Sequence, residues 1–544
     1  MSTDDLLAGS SIGTAWDDRA EVVVLGFGAA GACAAIEAAA GGADVLVVDR
    51  FSGGGTTAIS GGVVYAGGGT KIQAAAGVGD SVEAMHAYLR EEVGDAVSPE
   101  TLRRFCATSA EHLEWLRRQG VPFEGSLCPY KTSYPDNRYY LYFSGSENSG
   151  AFRRYAVPAP RGHRAKGPGT SGATLFTALA ESVRCQGARV RTQTTARRLI
   201  VERGRVTGVE CRTLDRAPGW VRFAHRVLSR YAAKPGVYLP WLRRVLHAQA
   251  AGLERRHGRR IRIGATAGVI IAAGGFAENR EMLREHAPDH RGGLALGTPG
   301  DDGSGIRLGV EAGAATGLLD RVSAWRFLSP PSALLSGLLV DRDGARVIDE
   351  SRYGAAVGEA LISRHRGRGW LLVDAAILAE ARRQVPRQAL WFQRLQAYAQ
   401  LAARVTGPTL ESVAARAGVD SAGLRATVQA HQDRVRCRAA DPTGRPAELS
   451  RELRPPFSLL DMSIRNRLNP CPMLPLGGLV VDERTGAVRR PDGSAITGLY
   501  AAGRSAVGLC SRSYVSGLSL ADCVFSGRRA GAHLAATRRS GAHR

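Results

Sequence analysis

The sequence predicts an α/β protein, with a parallel sheet at its centre and a smaller α+β domain inserted into it. Three observations indicate this class. A strand, a glycine turn and a helix follow one another near the start of the chain, and a second apolar strand ends in Ala-Ala-Gly-Gly at residues 272–275. Residues 470–544 then return to short strands and one long helix, so both ends of the chain build the outer domain.

The first element is an apolar strand over residues 21–25, which runs directly into a glycine turn. The turn has the spacing G-x-G-x-x-G, given by Gly26, Gly28 and Gly31, and Ala29 and Ala30 open the helix that follows. The first glycine permits the turn, the second lets backbone approach a pyrophosphate, and the third lets the helix pack on the strand. Free N–H groups at the start of this helix favour an anion.

A second strand, over residues 44–48, ends in Asp49 and Arg50, about 20 residues after the middle glycine. An acidic side chain at this position can accept the hydroxyls of a ribose. Because strand, helix and carboxylate are in register, the motif predicts a Rossmann-like dinucleotide-binding domain rather than a plain βαβ unit.

Two clusters of glycine and threonine follow, at residues 53–62 and 65–70. So many glycines cannot pack as a regular element, but they let backbone lie against a flat or charged group. A flexible loop is the alternative, yet the position just after a nucleotide-binding strand favours cofactor contact. The predicted contacts are Thr56, Thr57, Ala58, Ser60, Gly61 and Gly62.

Two helices are predicted over residues 82–93 and 99–118, because Ser81 and Ser98 precede them at N-cap positions. Residues 128–164 are irregular and dense in aromatic side chains. This stretch either lines an apolar pocket or forms a satellite core beneath a long loop, and the sequence leaves both interpretations open.

The sheet resumes after a helix at 174–186, with strands predicted at 189–195, 198–202, 206–212 and 267–273. The glycine-rich end of the last strand is a second place where a nucleotide can meet bare backbone. The predicted cofactor contacts in this part of the chain are Ala196, Ala273, Gly274, Gly275 and Asp302.

Residues 214–263 interrupt this pattern and contain twelve Lys and Arg against two Asp and Glu. Two basic amphipathic helices are predicted here, over residues 221–231 and 238–256. Such a pair can make a peripheral contact with an anionic membrane surface, or it can be a solvated hairpin that covers its own domain.

The region 314–469 has a hairpin-like turn near residues 338–348 and then mostly helices, which predicts a separate α+β capping domain. The outer domain therefore comprises residues 1–313, with the basic insertion 214–263, and residues 470–544. Its last part contains strands at 478–482 and 499–502, then Gly503, then a closing helix at 518–536.

Composition argues against several classes of protein. No run of about 18 apolar residues exists and residues 1–5 lack an export signal, so a cytoplasmic protein is expected, with peripheral membrane association left open. Most of the net charge of +22 comes from arginine spread along the chain without a basic-aromatic module, so no nucleic-acid partner is predicted. Nine cysteines without a C-x-x-C pair predict reduced thiols and no metal site.

Together these pieces resemble the flavoprotein family of fumarate reductases, succinate dehydrogenases and 3-ketosteroid dehydrogenases. The matching blocks are residues 22–49, 53–70, 270–276, 300–305, 344–350 and 498–531. The resemblance implies FAD as cofactor, a capping domain closed over the flavin ring, and further contacts from Gly503, Ser519 and Leu520. Arg504 follows Gly503 where fumarate reductases have glutamate, so the contact there is expected to differ.

The resemblance also implies that FAD is bound non-covalently. Succinate dehydrogenases attach FAD through a histidine near the second glycine cluster, and residues 53–62 contain no histidine. Fumarate-type members use two arginines, a proton donor in the cap and one near the C-terminus that grips a carboxylate. This chain has Gly354 and Tyr514 at the aligned positions, although Arg352 would serve under a shifted alignment.

A dicarboxylate without its arginine would leave charge unpaired in a buried site, which is strongly unfavourable. Tyr514-x-Ser516 instead resembles the Tyr-x-Ser pair of the 3-ketosteroid Δ4-(5α)-dehydrogenases. By that resemblance Tyr514 polarises a ketone, and Ser516, linked to Tyr353 of the cap, removes the neighbouring proton while hydride leaves to FAD. A serine alone is too weak a base, so a relay is needed.

We therefore expect a dehydrogenase that forms a C=C bond beside the ketone of an apolar, steroid-like substrate. Its electrons would pass to a quinone or another acceptor. Two alternatives stay open from sequence alone. One is reduction of an activated alkene or unsaturated carboxylate, as in fumarate reductases; the other is an electron-transfer subunit that docks a membrane or protein partner through the basic insertion.

Overall fold

The computed structural model describes residues 15–290 and 293–541, so residues 1–5 lie outside the described part of the chain. Its largest sheet has eight strands. Seven of them lie side by side in this order: Ala487–Arg489, Ala495–Ala501, Arg205–Thr213, Arg259–Ile271, Asp18–Leu25, Val45–Val48 and Arg189–Arg191. The eighth strand, Thr194–Glu202, pairs with Arg205–Thr213.

The centre of this sheet is parallel. Asp18–Leu25 runs parallel to Val45–Val48 on one side and to Arg259–Ile271 on the other. Helices cover both faces, and the four residues of Val45–Val48 are all buried, as is typical of parallel sheets. The α/β class and the Rossmann-like domain predicted from the sequence are confirmed.

The outer domain contains one pair of helices in very close contact, Ala29–Ala40 and Leu518–Gly541. A Cβ atom at Gly527 would lie 2.4 Å from the Ala30 carbonyl oxygen, and one at Gly531 would lie 2.2 Å from that of Ala34. The glycines therefore let the last helix of the chain lie against the first. Apart from the basic insertion, the other helices of this domain in the described ranges are Gly55–Ile59, Lys71–Ala75, Val82–Val93, Pro99–Arg118, Gly150–Arg153, Gly172–Cys185, Arg280–His286 and Ser304–Glu311.

The inserted domain has its own hydrophobic core and an antiparallel sheet. The strands of that sheet, in order, are Leu338–Val340, Trp370–Asp374, Phe457–Asp461 and Val405–Gly407. Its helices are Gly354–His365, Ala375–Gln388, Trp391–Ala402, Leu410–Ala417 and Ser421–Arg436.

Three smaller sheets complete the described part of the fold. One joins Leu294–Ala295, Pro472–Pro475 and Val322–Ala324, a second joins Val63–Tyr65, Gly162–Arg164 and Leu141–Tyr142, and a third pairs Thr316–Gly317 with Gly478–Leu479. The first sheet contains strands from both sides of the boundary at residue 314, so it connects the cap to the outer domain.

The basic insertion forms a helical hairpin of Gly219–Ala233 and Pro240–His257. The next strand already begins at Arg259 and pairs antiparallel with Arg205–Thr213, so residues 259–263 of the predicted insertion belong to the sheet. Glu254 fastens the hairpin to the sheet, because its carboxylate accepts hydrogen bonds from Arg50 at 2.8 Å and His225 at 3.1 Å. No helix in the described ranges is long and apolar enough to span a bilayer.

The helices predicted over 82–93 and 99–118 have those bounds. Their hydroxyl caps form as expected, since Ser81 and Ser98 accept the N–H groups of Ala84 and Thr101. The strand predicted at 478–482 is shorter, because beyond Gly478–Leu479 the chain pairs only through an isolated bridge between Val481 and Val488.

Candidate active site

A cavity of about 1020 Å³ lies along the outer domain and extends under the cap. Most predicted cofactor contacts line it: Gly26, Gly28, Ala29, Ala30, Asp49, Arg50, Thr56, Thr57, Ala58, Ser60, Gly61, Gly62, Ala196, Ala273, Gly274, Ser519 and Leu520. The three predicted catalytic residues, Tyr353, Tyr514 and Ser516, line the same cavity. Segments from both ends and the middle of the chain therefore meet at one site.

Four predicted contacts do not line the cavity: Gly31, Gly275, Asp302 and Gly503. A Cβ at Gly31 would lie 1.9 Å from the Gly26 carbonyl oxygen, and one at Gly503 would lie 2.8 Å from the Ala30 Cβ. The Asp302 carboxylate accepts the Ser304 N–H at 2.9 Å and pairs with Arg50. These four residues are not part of the cavity wall, and their direct contact with the cofactor stays a prediction.

The glycine turn is shaped by two different requirements. Gly26 has φ +106, and a Cβ there would lie 2.4 Å from the Ala272 carbonyl oxygen, so the fold itself requires glycine. At Gly28 a Cβ would make only ordinary contacts, with the Thr57 hydroxyl at 3.4 Å and the Gly54 carbonyl oxygen at 3.9 Å, and it would otherwise face the cavity. The chain's own packing therefore does not explain Gly28, whereas close approach of a ligand does.

An unused backbone donor marks the same end of the cavity. The Ala29 N–H donates to the Thr57 hydroxyl at 3.0 Å, and the Ala30 N–H faces the Cys523 sulfur. Within the described ranges the N–H group of Gly28 donates to no protein atom, and Gly28 lines the cavity. Free donors at a helix start bind anions such as a pyrophosphate.

Asp49 organises the turn that follows. Its carboxylate accepts the N–H groups of Phe27 at 2.9 Å, Phe51 at 2.8 Å and Gly53 at 3.3 Å. Burial raises the pKa of Asp49, and these N–H groups oppose the rise. A carboxylate accepts roughly four hydrogen bonds, so capacity is left for a ribose hydroxyl. That contact stays a prediction.

Arg504 and Asp301 form a polar centre that sequence reasoning missed. The buried Asp301 carboxylate pairs with Arg504 and accepts the Thr56 hydroxyl at 2.5 Å and the Gly275 N–H at 3.3 Å. The Nη1 atom of Arg504 is buried without a hydrogen-bond partner, and Arg504 lines the cavity. The departure from glutamate at this position was the available signal, because it puts a cationic donor in the cavity wall.

Aromatic side chains enclose the other end of the cavity. The Tyr514 ring lies 4.6 Å from Trp325 and 6.4 Å from Tyr353, between ring centroids, and Tyr353 contacts Phe327 at 5.6 Å. The Tyr514 hydroxyl has no hydrogen-bond partner in the described part of the chain, and burial raises its pKa. Tyr514 is therefore a neutral hydrogen-bond donor available to a ligand.

Ser516 lies between two tyrosines, of which only one was predicted. Its hydroxyl shares a 3.4 Å hydrogen bond with the Tyr142 hydroxyl. Burial raises the pKa of Tyr353, while a hydrogen bond with Ser516 lowers it, so Tyr353 also lies beside this hydroxyl. The carbonyl oxygen of Ser516 is held by the Ser144 hydroxyl at 3.0 Å. The aromatic density of residues 128–164 was the only signal for Tyr142.

Both interpretations of that aromatic stretch hold for different residues. Tyr134 lines the cavity, and its hydroxyl donates to the Gly61 carbonyl oxygen at 2.8 Å. Tyr130 and Tyr139 instead pack beside Cys128 in a small satellite cluster. The segment therefore supplies one wall of the cavity and a core beneath it.

Gly354, one of the two positions aligned with an arginine of fumarate-type proteins, has no room for a longer side chain. A Cβ at Gly354 would lie 2.4 Å from Phe327 Cδ1, so the Phe327 ring fills the space that a longer side chain needs. Arg352 does not line the cavity; its guanidinium lies 5.0 Å from the Phe152 ring and 3.9 Å from Glu92. The shifted alignment that would give Arg352 a catalytic role is therefore not supported. No cluster of metal-binding side chains exists in the described ranges.

The fold and this site define a dinucleotide-binding oxidoreductase with a capped reaction chamber. A model of the FAD binding domain family matches residues 21–517, and the chain belongs to that family. The predicted flavoprotein family and FAD as cofactor are confirmed.

Individual relatives agree with this assignment. The chain is 38% identical over 511 residues to a 3-oxo-5-alpha-steroid 4-dehydrogenase of Comamonas testosteroni, covering 91% of this chain and 94% of that protein. It is similar, at 29% identity and a TM-score of 0.80, to the crystal structure of a 3-ketosteroid-Δ4-(5α)-dehydrogenase from Rhodococcus jostii RHA1 in complex with 4-androstene-3,17-dione, covering 97% and 99% of the two chains. An NADH:fumarate oxidoreductase of Klebsiella pneumoniae is 23% identical over 96% of this chain and 48% of its own length.

Proposed function

We propose that this protein is an FAD-dependent dehydrogenase that introduces a C=C bond next to the ketone of a 3-ketosteroid or a similar polycyclic ketone. The observation that carries the proposal is the free Tyr514 hydroxyl beside the Ser516–Tyr142 pair, in a chamber walled by aromatic rings. The relatives in Comamonas and Rhodococcus, named for this chemistry, support it.

The cofactor end fits FAD by the chemistry of its wall. The bare N–H group of Gly28, at the start of the first helix, suits the pyrophosphate, and the unpartnered Nη1 of Arg504 suits a further acceptor of the cofactor. No histidine lines the cavity within the described ranges, which supports non-covalent binding. When bound, FAD accepts a hydride from the substrate carbon β to the ketone.

Tyr514 acts on the ketone. Its phenol is neutral at physiological pH, because burial raises its pKa, so it donates a hydrogen bond to the ketone oxygen. That hydrogen bond strengthens as negative charge develops on the oxygen when the neighbouring C–H loses its proton. A neutral donor suits a ketone, whereas a carboxylate in this chamber would lack the guanidinium that it needs.

Ser516 receives the proton that leaves the carbon α to the ketone. A serine hydroxyl is a weak base, but it can accept one proton while it donates its own to a neighbouring hydroxyl. Tyr142, at 3.4 Å, and Tyr353 are both placed for that second transfer. The burial of both tyrosines keeps them neutral and able to pass a proton on.

Reduction of a dicarboxylate is the less supported alternative. The only arginines that line the cavity in the described ranges are Arg50, Arg226, Arg230 and Arg504. Arg50 pairs with Glu254 and Asp302, and Arg504 pairs with Asp301. None of the four donates a hydrogen bond to Tyr514 or Tyr353. The described residues therefore place no pair of arginines beside these tyrosines to bind the two carboxylates of a dicarboxylate.

The electrons leave to an external acceptor. A quinone suits the apolar chamber, and a diffusible protein acceptor is the alternative. Turnover with a menaquinone or ubiquinone analogue, compared with an artificial dye, distinguishes these cases. A rate with the quinone that matches the dye rate supports a quinone acceptor, whereas turnover with dye alone supports a protein acceptor.

Rapid mixing of oxidised enzyme with a 5α-reduced 3-ketosteroid in the absence of oxygen tests the proposed reaction. We expect the flavin absorbance to bleach in a single turnover, and Tyr514→Phe to slow that step about 10²- to 10³-fold, as when one oxyanion donor is removed. Tyr139→Phe is the matched control, because that ring packs against Tyr130 outside the cavity. Full-rate bleaching by Tyr514→Phe, or reoxidation of reduced enzyme by fumarate, would contradict the proposal.

A further inference from the structure

The cavity opens between the basic hairpin and the cap. Arg226, Arg230, Lys234 and Tyr238 of the hairpin line the cavity and are exposed at the same time, as is Gln396 of the cap helix Trp391–Ala402. A side chain that both lines the cavity and is exposed to solvent lies at the opening of the cavity. The hairpin tip and the cap helix also touch, with 6.5 Å between the ring centroids of Tyr238 and Phe392.

Large apolar side chains surround this opening on the outside. On the cap helix, Trp391, Leu395 and Tyr398 recur at helical spacing and are 75%, 70% and 46% exposed. On the hairpin tip, Tyr238, Leu239 and Trp241 are also exposed. We call these six residues the mouth surface. Exposed apolar side chains of this size, grouped together, indicate a binding surface.

The charge around the mouth surface is strongly positive. Residues 214–258 contain nine Lys and Arg against two Asp and Glu, although one of the nine, Arg243, is buried and pairs with Glu278. The exposed cations at the opening itself are Arg226, Arg230 and Lys234. Neither acid offsets this charge at the surface, since Glu254 is buried against Arg50 and Asp215 pairs with Arg259. The guanidinium groups of Arg226 and Arg230 have no acidic partner in the described part of the chain.

We propose that the mouth surface docks on an anionic lipid bilayer. Tryptophan and tyrosine prefer the interface between headgroups and acyl chains. Leucine at the same depth adds apolar burial, and nearby Lys and Arg are attracted to the negative surface of an anionic membrane. A protein partner would have to match both the exposed tryptophans and the dense positive charge, whereas an anionic bilayer supplies both kinds of contact.

Docking in this orientation places the cavity opening against the lipid. An apolar ketone dissolved in the bilayer would then enter between the hairpin and the cap without crossing water. This last point rests on the proposed function. The lipid contact itself does not, because it depends only on the mouth surface and its charge.

Co-sedimentation of the holoprotein with vesicles tests the proposal. We expect binding to vesicles of phosphatidylcholine mixed with phosphatidylglycerol, and weak binding to phosphatidylcholine alone or at high salt. The double variant Trp241→Ser/Leu395→Ser should bind the mixed vesicles about tenfold less tightly or worse. The matched control is Val157→Ser/Val310→Ser, which removes exposed apolar side chains outside the mouth surface and should bind as wild type does.

A second measurement identifies the residues that enter the lipid. Brominated phosphatidylcholine in the mixed vesicles should quench tryptophan fluorescence of the wild type. Trp241→Phe/Trp391→Phe should keep most of the binding but lose most of that quenching, because phenylalanine preserves the apolar contact.

Vesicle binding and ketosteroid turnover are measured separately, so a failure of the docking surface can be distinguished from a failure of the proposed reaction. Failure of the wild type to bind mixed vesicles at low salt, or equal binding by Trp241→Ser/Leu395→Ser and its control, would overturn the docking surface. Ketosteroid turnover in solution would then still support the dehydrogenase. Vesicle binding without any such turnover would keep the surface and reject the proposed reaction.

Discussion

The two ends of the cavity are built from different parts of the polypeptide. At the cofactor end the wall is mostly backbone, supplied by short glycine-rich segments that follow strands of one sheet. At the reaction end the wall is side chains, including Tyr134, Trp325, Tyr353 and Tyr514, from segments far apart in the chain. Substitutions at the first end should therefore change folding or cofactor affinity, and those at the second should change the chemistry alone.

The largest effect is expected from Gly26→Val. Gly26 has φ +106, and its Cβ would collide with the backbone oxygen of Ala272, which cannot move aside without breaking the sheet. We expect a loss of about 3 kcal/mol or more of unfolding free energy, with no FAD retained after purification. Urea unfolding and the FAD content measure both effects.

Gly79→Val is the control for this change, because a Cβ at Gly79 meets nothing within 4 Å. A Gly26→Val protein that folds and holds FAD as wild type does would show that backbone geometry does not define the cofactor end.

Ser516→Ala tests the reaction end. Loss of the hydroxyl breaks the relay to Tyr142 without moving backbone, so the rate of flavin reduction by a ketosteroid should fall roughly 10²- to 10⁴-fold, the range of general-base catalysis. FAD affinity and thermal stability should be unchanged. Single-turnover kinetics and an FAD titration on the same protein measure the two quantities.

Ser513→Ala is the matched control, because Ser513 lies outside the cavity wall and contacts Glu92. The relay is wrong if Ser516→Ala reduces the flavin as fast as this control does. A parallel loss of FAD affinity would instead mean that the two ends of the cavity are not independent.

The closing helix Leu518–Gly541 carries a buried carboxyl group, Asp522, which should make the free energy of unfolding depend on pH. Burial raises the pKa of Asp522 to about 6, opposed by Arg529 and by the backbone near Leu509. A carboxyl group whose pKa is raised on folding stabilises the native state below its unfolded pKa, and that contribution is lost as the pH rises through about 6.

Asp522→Asn should therefore remove a pH dependence between pH 4 and 7 that amounts to about 3 kcal/mol, at about 1.4 kcal/mol per pKa unit. The difference between the wild-type and variant unfolding free energies, measured in urea at several pH values, isolates this group from all others. A difference that does not change over that pH range would place the pKa of Asp522 near its usual value.

The smallest effect is expected from Gly28→Ala. The added methyl contacts the Thr57 hydroxyl at 3.4 Å and the Gly54 carbonyl oxygen at 3.9 Å without a clash, so the unfolding free energy should stay within about 0.5 kcal/mol of wild type. The methyl would stand where the pyrophosphate approaches, so the Kd for FAD should rise about tenfold. A protein that loses stability but keeps its FAD affinity would reverse the assignment of roles to Gly26 and Gly28.

The sequence by itself determined the cofactor end and the outer fold. Gly26, Gly28 and Asp49 lie on one strand–turn–helix–strand unit, and Ser81 and Ser98 cap the helices that directly follow them. The positive φ of Gly26, the N-caps and the free N–H group at a helix start are local features, set within one short segment. The contact of Gly26 with Ala272 comes from a distant strand, but it adds to a requirement for glycine that the turn already has. Short spacings in the sequence were therefore sufficient to predict them.

Only the tertiary structure decided the partners at the reaction end. Ser516 meets Tyr142 across 374 positions of sequence, Phe327 fills the space beside Gly354, and Arg352 turns to Glu92 instead of the cavity. Tyr142, Phe327 and Glu92 were not among the predicted site residues. Contacts between distant segments depend on how the cap packs on the sheet, and that packing is a collective property of two hydrophobic cores rather than of any local spacing.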